Sequence, residues 1–246
     1  MEQYKFNTEH AQMIVESIVE GYHDYIEHRK DRRQKMKISS AFAWTKGNFI
    51  ESKIADECEK FGFSYQKSKA GLTWDYLQFT QNESNILFLI KNAAYFDENA
   101  FSKSTLPSNR KGAHRTYLHE LSKINTDLDF PSSTFITTNQ GNTFEQLTLF
   151  VPERSVSKDI KEFHSYYNQF HILTYSIDDA YQISSINQYI PNPHDNIAYL
   201  VEDLSTYISG AELTDEDREV IAPETYDEVL DASAFDIGIL DEEMEL

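Results

Sequence analysis

A single cysteine, Cys58, is the whole thiol inventory of this 246-residue chain. That excludes an intramolecular disulfide framework and a multi-cysteine zinc site. Glycine and proline are scarce, at 8 and 6, too few for a collagenous or Pro/Gly-rich disordered chain. No apolar run approaches the roughly 18 residues of a membrane span. The opening MEQYKFNTEH lacks the apolar segment of a secretory signal. The expectation is a soluble, cytoplasmic protein with no membrane partner. The histidines show no ligand-like spacing, and there is no phosphate loop, nucleophile elbow or dinucleotide fingerprint. No cofactor is expected from motifs alone.

What is present is charge, unevenly placed. The formal net charge is −19. Residues 211–246 hold fourteen acids against one base, Arg218, a net of −13. The other 210 residues carry 21 bases and 27 acids, a net of −6. Residues 29–37, RKDRRQKMK, hold six bases and one acid. Such opposed ends suggest an interaction tail or an internal electrostatic contact. Arg29, Lys30, Arg32, Arg33 and, from a later basic loop, Lys111 are the candidate phosphate-contacting residues. The overall negative charge works against long-range attraction to nucleic acid.

The periodicity predicts helices and strands in alternation. Asn7 or Thr8 caps a first helix with Ile14, Ile18, Tyr22, Tyr25 and Ile26 on one face. A second helix starts near Gly47, carries Ile50, Ile54, Cys58 and Phe61, and stops at Gly62. Strands are predicted at 63–66, 73–80 and 86–90, the last an apolar ILFLI run suited to burial on both faces. A helix fits 116–124. Further strands fit 134–138, 144–151 and 170–177, with a helical pattern at 158–167. Residues 190–195 read as a Pro-containing connection and 196–209 as a helix with Ile197, Leu200, Val201, Leu204 and Ile208 on one face. The expected fold is α+β, a central mixed sheet of about five strands flanked by helices, with a C-terminal helical and acidic extension. The expected organisation is an N-terminal helix and basic run at 1–37, a core domain at 38–189, and a C-terminal helix and acidic tail at 190–246.

Three polar residues stand out in the core. Glu51 lies on the second helix, Asp75 in the aromatic strand TWDYLQF, and Lys91 at the end of ILFLIK. Carboxylates that converge can hold a divalent metal that activates water, and a lysine can stabilise or deprotonate the nucleophile. The stretch GNFIESKIADECEKFGF…TWDYLQF…ILFLIK resembles the core of the restriction-endonuclease-like (PD-(D/E)XK-type) nuclease superfamily over about residues 47–125. In that family a helix glutamate precedes a hairpin carrying a first aspartate, and a second acid stands two residues before a lysine on the next strand. The resemblance implies Glu51, Asp75 and Lys91 as the catalytic set, with Glu51 and Asp75 as ligands of Mg²⁺. The second acid falls at Leu89, and no acid lies between 84 and 92.

That departure leads to the expectation of a regulatory or protein-interaction protein on a catalytically degenerate nuclease-like core. Its acidic tail would bind a basic protein surface through charge and the apolar anchors Leu230, Phe235, Ile237 and Leu240. Two other readings stay open. One is a metal-dependent nuclease whose second carboxylate has migrated to Glu83 or Asp97; the other is a nucleic-acid mimic.

Overall fold

A computed structural model describes residues 1–70, 74–102, 116–131, 166–210 and 212–221. The fold is α+β, with helices flanking a mixed sheet of six strands, β1 (Phe63–Ala70), β2 (Trp74–Gln81), β3 (Ile86–Asn92), β4 (Gln169–Ile177), β5 (Ile183–Asn192) and β6 (Ile197–Asp203). Their spatial order follows the chain order. Every neighbouring pair is antiparallel except β3 with β4, which is parallel. The long connection between those two carries the helix α3 (Thr116–Ser122), as a parallel pair requires.

The sheet has two covered faces. On one lie α1 (Thr8–Lys35) and α2 (Lys46–Cys58), packing Ile14, Ile18, Tyr22, Ile50 and Ile54 onto Phe79, Phe88, Ile90 and Leu173. On the other, Leu118 of α3 and Phe101 meet Tyr76, Leu87, Leu89, Phe170 and Ile172. All seven residues of β3 are buried, which is why its sequence runs apolar without alternation. Leu87, Leu89 and Ile90 are core residues, as the sequence led us to expect.

Local signals set the helix ends. Asn7, not Thr8, caps α1, its side chain accepting from His10 N at 2.8 Å. After α2 a short 3₁₀ turn ends at Gly62 with φ +71°, the left-handed stop favoured by glycine. Two buried tie points lock the sheet's far side. Asn125 donates to the carbonyls of Phe170 (2.8 Å) and Pro191 (2.9 Å) and accepts from Phe170 N, joining β4 to β5. Gln188 donates to the carbonyl of Tyr4 at 3.0 Å, fixing the N-terminus over β5.

The expected helix over 196–209 is instead β6 followed by a 3₁₀ turn, Ser205–Tyr207. Ala198 and Val201, three apart, are both buried but in different clusters, on opposite faces of a strand. A register irregularity at Gln188/Tyr189 accompanies this pairing, and Leu200, in the middle of the supposed stripe, is 50% exposed. The spacing imitated a helix because a bulged strand was burying both sides. The supposed connection 190–195 is also partly strand. Pro191 pairs with Ala198 on β6 and lies beyond the last β4–β5 partner, Tyr189, where a missing N–H is tolerated. The sheet therefore has six strands rather than about five. The strands expected at 134–138 and 144–151, and most of the helical pattern at 158–167, lie outside the described residues.

Where α1 crosses α2, Gly21 allows a close approach. A Cβ there would sit 2.7 Å from Ile50 Cα and 2.9 Å from the Phe49 carbonyl oxygen. A solvent-facing Gly→Ala change in a helix gains about 1 kcal/mol. Gly21→Ala should do the opposite and cost about 1–3 kcal/mol, because the obstruction is backbone. Urea unfolding measures this, and a stabilised variant would contradict the contact.

Candidate functional site

Phe79 pairs directly with Phe88, and their rings stack at 5.3 Å beneath the α1/α2 layer. Alternation from that pair places Asp75, with Leu77 and Phe79, on the helix-α2 side of the sheet. The same alternation places Lys91, with Leu87 and Leu89, on the α3 side. Lys91 is 8% exposed. Its Nζ lies 5.4 Å from the Tyr76 ring centre and 5.3 Å from that of Tyr117, within cation–π range. The structure does not bring Asp75 and Lys91 together; the sheet lies between them.

Glu51 and Asp75 are each engaged. The Glu51 carboxylate accepts from the main-chain N–H of Leu77 at 2.9 Å, tying α2 to β2. Asp75 forms an ion pair with Lys67 on the neighbouring strand. The two strands of the β2–β3 hairpin pair at only three positions, Phe79–Gln81 with Ile86–Phe88. Position 89, where the resemblance would place the second acid, is a leucine 1% exposed in the apolar cluster under α3. Of the alternative acids, Glu83 sits in the turn at the closed end of this hairpin. That is about 20 Å along the strand from Asp75, at some 3.3 Å per residue. Asp97 follows β3 and accepts from Asn99 N at 2.9 Å. Among the described residues, no group of three or more His, Cys, Asp or Glu side chains is placed to hold a metal ion. Cys58 is buried on the α2 stripe, and burial pushes its thiol up to about 12, the behaviour of a packing residue and not a nucleophile.

The basic run is occupied from within the chain. The short helix α4 (Asp215–Ile221) packs against α1. Thr214 and Asp217 cap it reciprocally. Asp217 Oδ2 accepts from Thr214 N and Oγ1, both at 2.7 Å, and Thr214 Oγ1 accepts from Asp217 N at 3.2 Å. Lys30 forms an ion pair with Asp217. Arg33 donates to the carbonyl of Glu219 at 2.6 Å and Arg29 to that of Val220 at 3.4 Å. Two guanidinium groups thus satisfy last-turn carbonyls that a helix leaves without partners. Leu213 and Val220 are buried beneath. Burial alone would push the Asp217 carboxyl up, but hydrogen bonds from Lys30 and Thr214 outweigh it and hold the group at about 2. Arg32 lies over the Phe42 ring at 5.8 Å and 3.5 Å from Asp31. Lys111, Leu230, Phe235, Ile237 and Leu240 lie outside the described residues.

One titratable group had no sequence signal. His171, on β4, is fully buried. Its Nδ1 lies 2.7 Å from Gln188 Nε2 and its Nε2 lies 2.8 Å from Gln169 Oε1, a set that suits the neutral ring protonated on Nε2. The run FHILTYSI reads as a strand, and six consecutive residues of β4 are buried, but a histidine within such a run is not distinguishable from an exposed one by pattern.

No family model, curated protein or solved structure matches the chain. No helix among the described residues is long and apolar enough to cross a membrane.

Burial pushes the His171 ring down to about 3, against about 6.5 in an unfolded chain. The unfolded state therefore binds the extra proton first. The contribution to stability is complete above pH 6.5 and is lost as the pH falls toward 3. Between pH 6 and 4 the unfolding free energy should fall by up to about 1.4 kcal/mol per pH unit from this one group. His171→Asn should flatten that slope in urea titrations; an unchanged slope would show that other groups set it.

Proposed function

We propose that this protein is a non-catalytic binding protein, with a degenerate nuclease-like core as scaffold and its acidic C-terminal segment as the element that engages a basic protein surface. The observation that carries the reading is the separation of Lys91 from Asp75 and Glu51 by the sheet, with Leu89 buried where a second acid would be needed. A metal-assisted hydrolysis needs its ligands and its lysine converging on one reacting centre. Here the lysine serves an aromatic pocket, one carboxylate holds a strand and the other pairs with a neighbouring lysine.

The order of elements supports the nuclease-like part of the reading: α2, then a hairpin, then β3, with Glu51, Asp75 and Lys91 on them in that sequence. The charge distribution supports the binding part. Residues 222–246 hold nine acids and no base, interleaved with Leu230, Phe235, Ile237, Ile239 and Leu240. Charge steers such a segment to a basic surface and the apolar residues hold it there.

Three measurements test this. Millimolar Mg²⁺ or Mn²⁺ should shift the melting temperature by less than about 1–2 °C, since weak or absent binding gives little stabilisation. Single- and double-stranded DNA and RNA should remain intact under the same conditions. Cleavage by the wild type that Lys91→Ala removes would overturn the proposal. In the same preparation, a helical Lys/Leu peptide should bind with a salt-dependent affinity. The triple change Asp227→Asn, Glu228→Gln, Asp231→Asn should weaken it severalfold; equal affinity would exclude the acidic segment as the binding element.

A further inference from the structure

α4 is the described beginning of the acidic segment, and it is already seated on the basic end of α1. Its last turn is held by Arg29 and Arg33 and its first by Lys30. The chain therefore leaves α4, at Ile221, beside the C-terminal turn of α1. Ahead of it are 25 residues with nine acids, no base and five large aliphatic or aromatic anchors between 230 and 240.

The surface next to that exit point has the complementary composition. Past Arg33 the chain runs Lys35, Met36, Lys37, Ile38, then through a 3₁₀ turn, Ser40–Thr45, to Lys46. Met36 is 45% exposed, Ile38 79% and Trp44 41%. These are three of the six large apolar residues that stand out in solvent among those described, gathered within nine positions of sequence. Apolar residues exposed singly need no explanation, but three of them within one short stretch that also carries Lys35, Lys37 and Lys46 do. Asp31 is the one acid between Arg29 and Lys46. Two guanidinium nitrogens at this end of the helix, Arg29 Nε and Arg32 Nε, are buried without a hydrogen-bond partner.

We infer that the basic–apolar surface formed by Arg32, Lys35, Met36, Lys37, Ile38 and Trp44 is the docking site for this chain's own residues 222–246. The acids would lie along the lysines and Arg32, with Leu230, Phe235 or Ile237 covering Ile38 and Met36. Twenty-five residues are ample reach. Even a compact flexible coil of that length spans about 25–30 Å, and the site begins a turn or two from the tether point. Tethering raises the effective concentration to the millimolar range, so a contact too weak to form between separate molecules is populated within one. The inference rests on the proposed role of the acidic segment as a binding element and gives that element a regulator. A basic partner must displace the contact in cis before it can bind, and its apparent affinity is lowered by the fraction of chains held closed.

The test uses the full chain. Cys58 is 2% exposed, so a spin label attached through Ser233→Cys reports from the acidic segment alone. At low salt, the amide signals of residues 35–38 and the Trp44 indole N–H should lose more than half their intensity. In about 0.5 M salt they should recover in part, because screening removes the ionic share and leaves the apolar one. Lys35→Glu with Lys37→Glu, both at exposed positions, should restore the signals at low salt. The same pair should raise the affinity of a helical Lys/Leu peptide for the chain about tenfold. Undisturbed signals at low salt overturn the inference, and if the peptide still binds, the proposed function survives alone. Signal loss with no peptide binding to either form leaves the docking in cis standing and removes the proposed function. Broadening seen only when labelled and isotope-enriched chains are mixed makes the occupant a second copy and overturns the assignment in cis.

Discussion

Burial of β3 on both faces is the constraint from which the rest of the architecture follows. A strand with every residue buried must have neighbours on both edges and a layer on each face. The hairpin β1–β2 supplies one edge and the parallel β4 the other; α1 and α2 cover one face and α3 the opposite one. The same constraint decides the chemistry. A charged side chain at position 89 would be sealed in the apolar cluster beneath α3, where desolvation costs several kcal/mol. Lysine is accepted at 91 because it sits at the strand's end, with a long apolar stem and two tyrosine rings to receive its ammonium.

Much of the fold was legible in the sequence, and the failures have identifiable causes. The helices α1 and α2, the β1–β3 succession and the helix at 116 carried clear periodicity, caps and stops, of which Asn7 and Gly62 were realised. The misreading of 190–209 came from a bulged strand that buried residues on both faces at three-residue spacing, compounded by Pro191 in a position where proline usually argues against a strand. The strand at 183–192 was missed for a related reason. Residues 188–192 are all buried, but Gln188 and Asn192 among them are polar, so neither an alternating pattern nor a continuous apolar run marked the strand.

The candidate site was legible in composition but not in geometry. Spacing named Glu51, Asp75 and Lys91, yet a difference of one in strand parity separates Asp75 from Lys91 by the thickness of a sheet. Parity across a hairpin depends on where the ladder starts, here Phe79 opposite Phe88, and the turn sequence QNES does not specify that. The electrostatic reading fared differently because charge acts without register. Opposed clusters at 29–37 and beyond 211 suggested an internal contact, and α4 sits on α1 through Lys30, Arg29 and Arg33. What sequence could not foresee was that the arginines bind main-chain carbonyls of α4 and leave most of its acids facing solvent.

The hairpin β1–β2 is bonded to itself over eight residue pairs but to β3 over three. The sheet therefore contains a seam, stitched at the turn end and spread at the other, where the Glu51 carboxylate holds Leu77 to α2. Cooperative units of a fold separate along lines of fewest shared bonds. In mechanical terms the molecule is a four-stranded block with a two-stranded flap. The flap is the part that opens first, and the amide protons of its strands exchange ahead of those of the block.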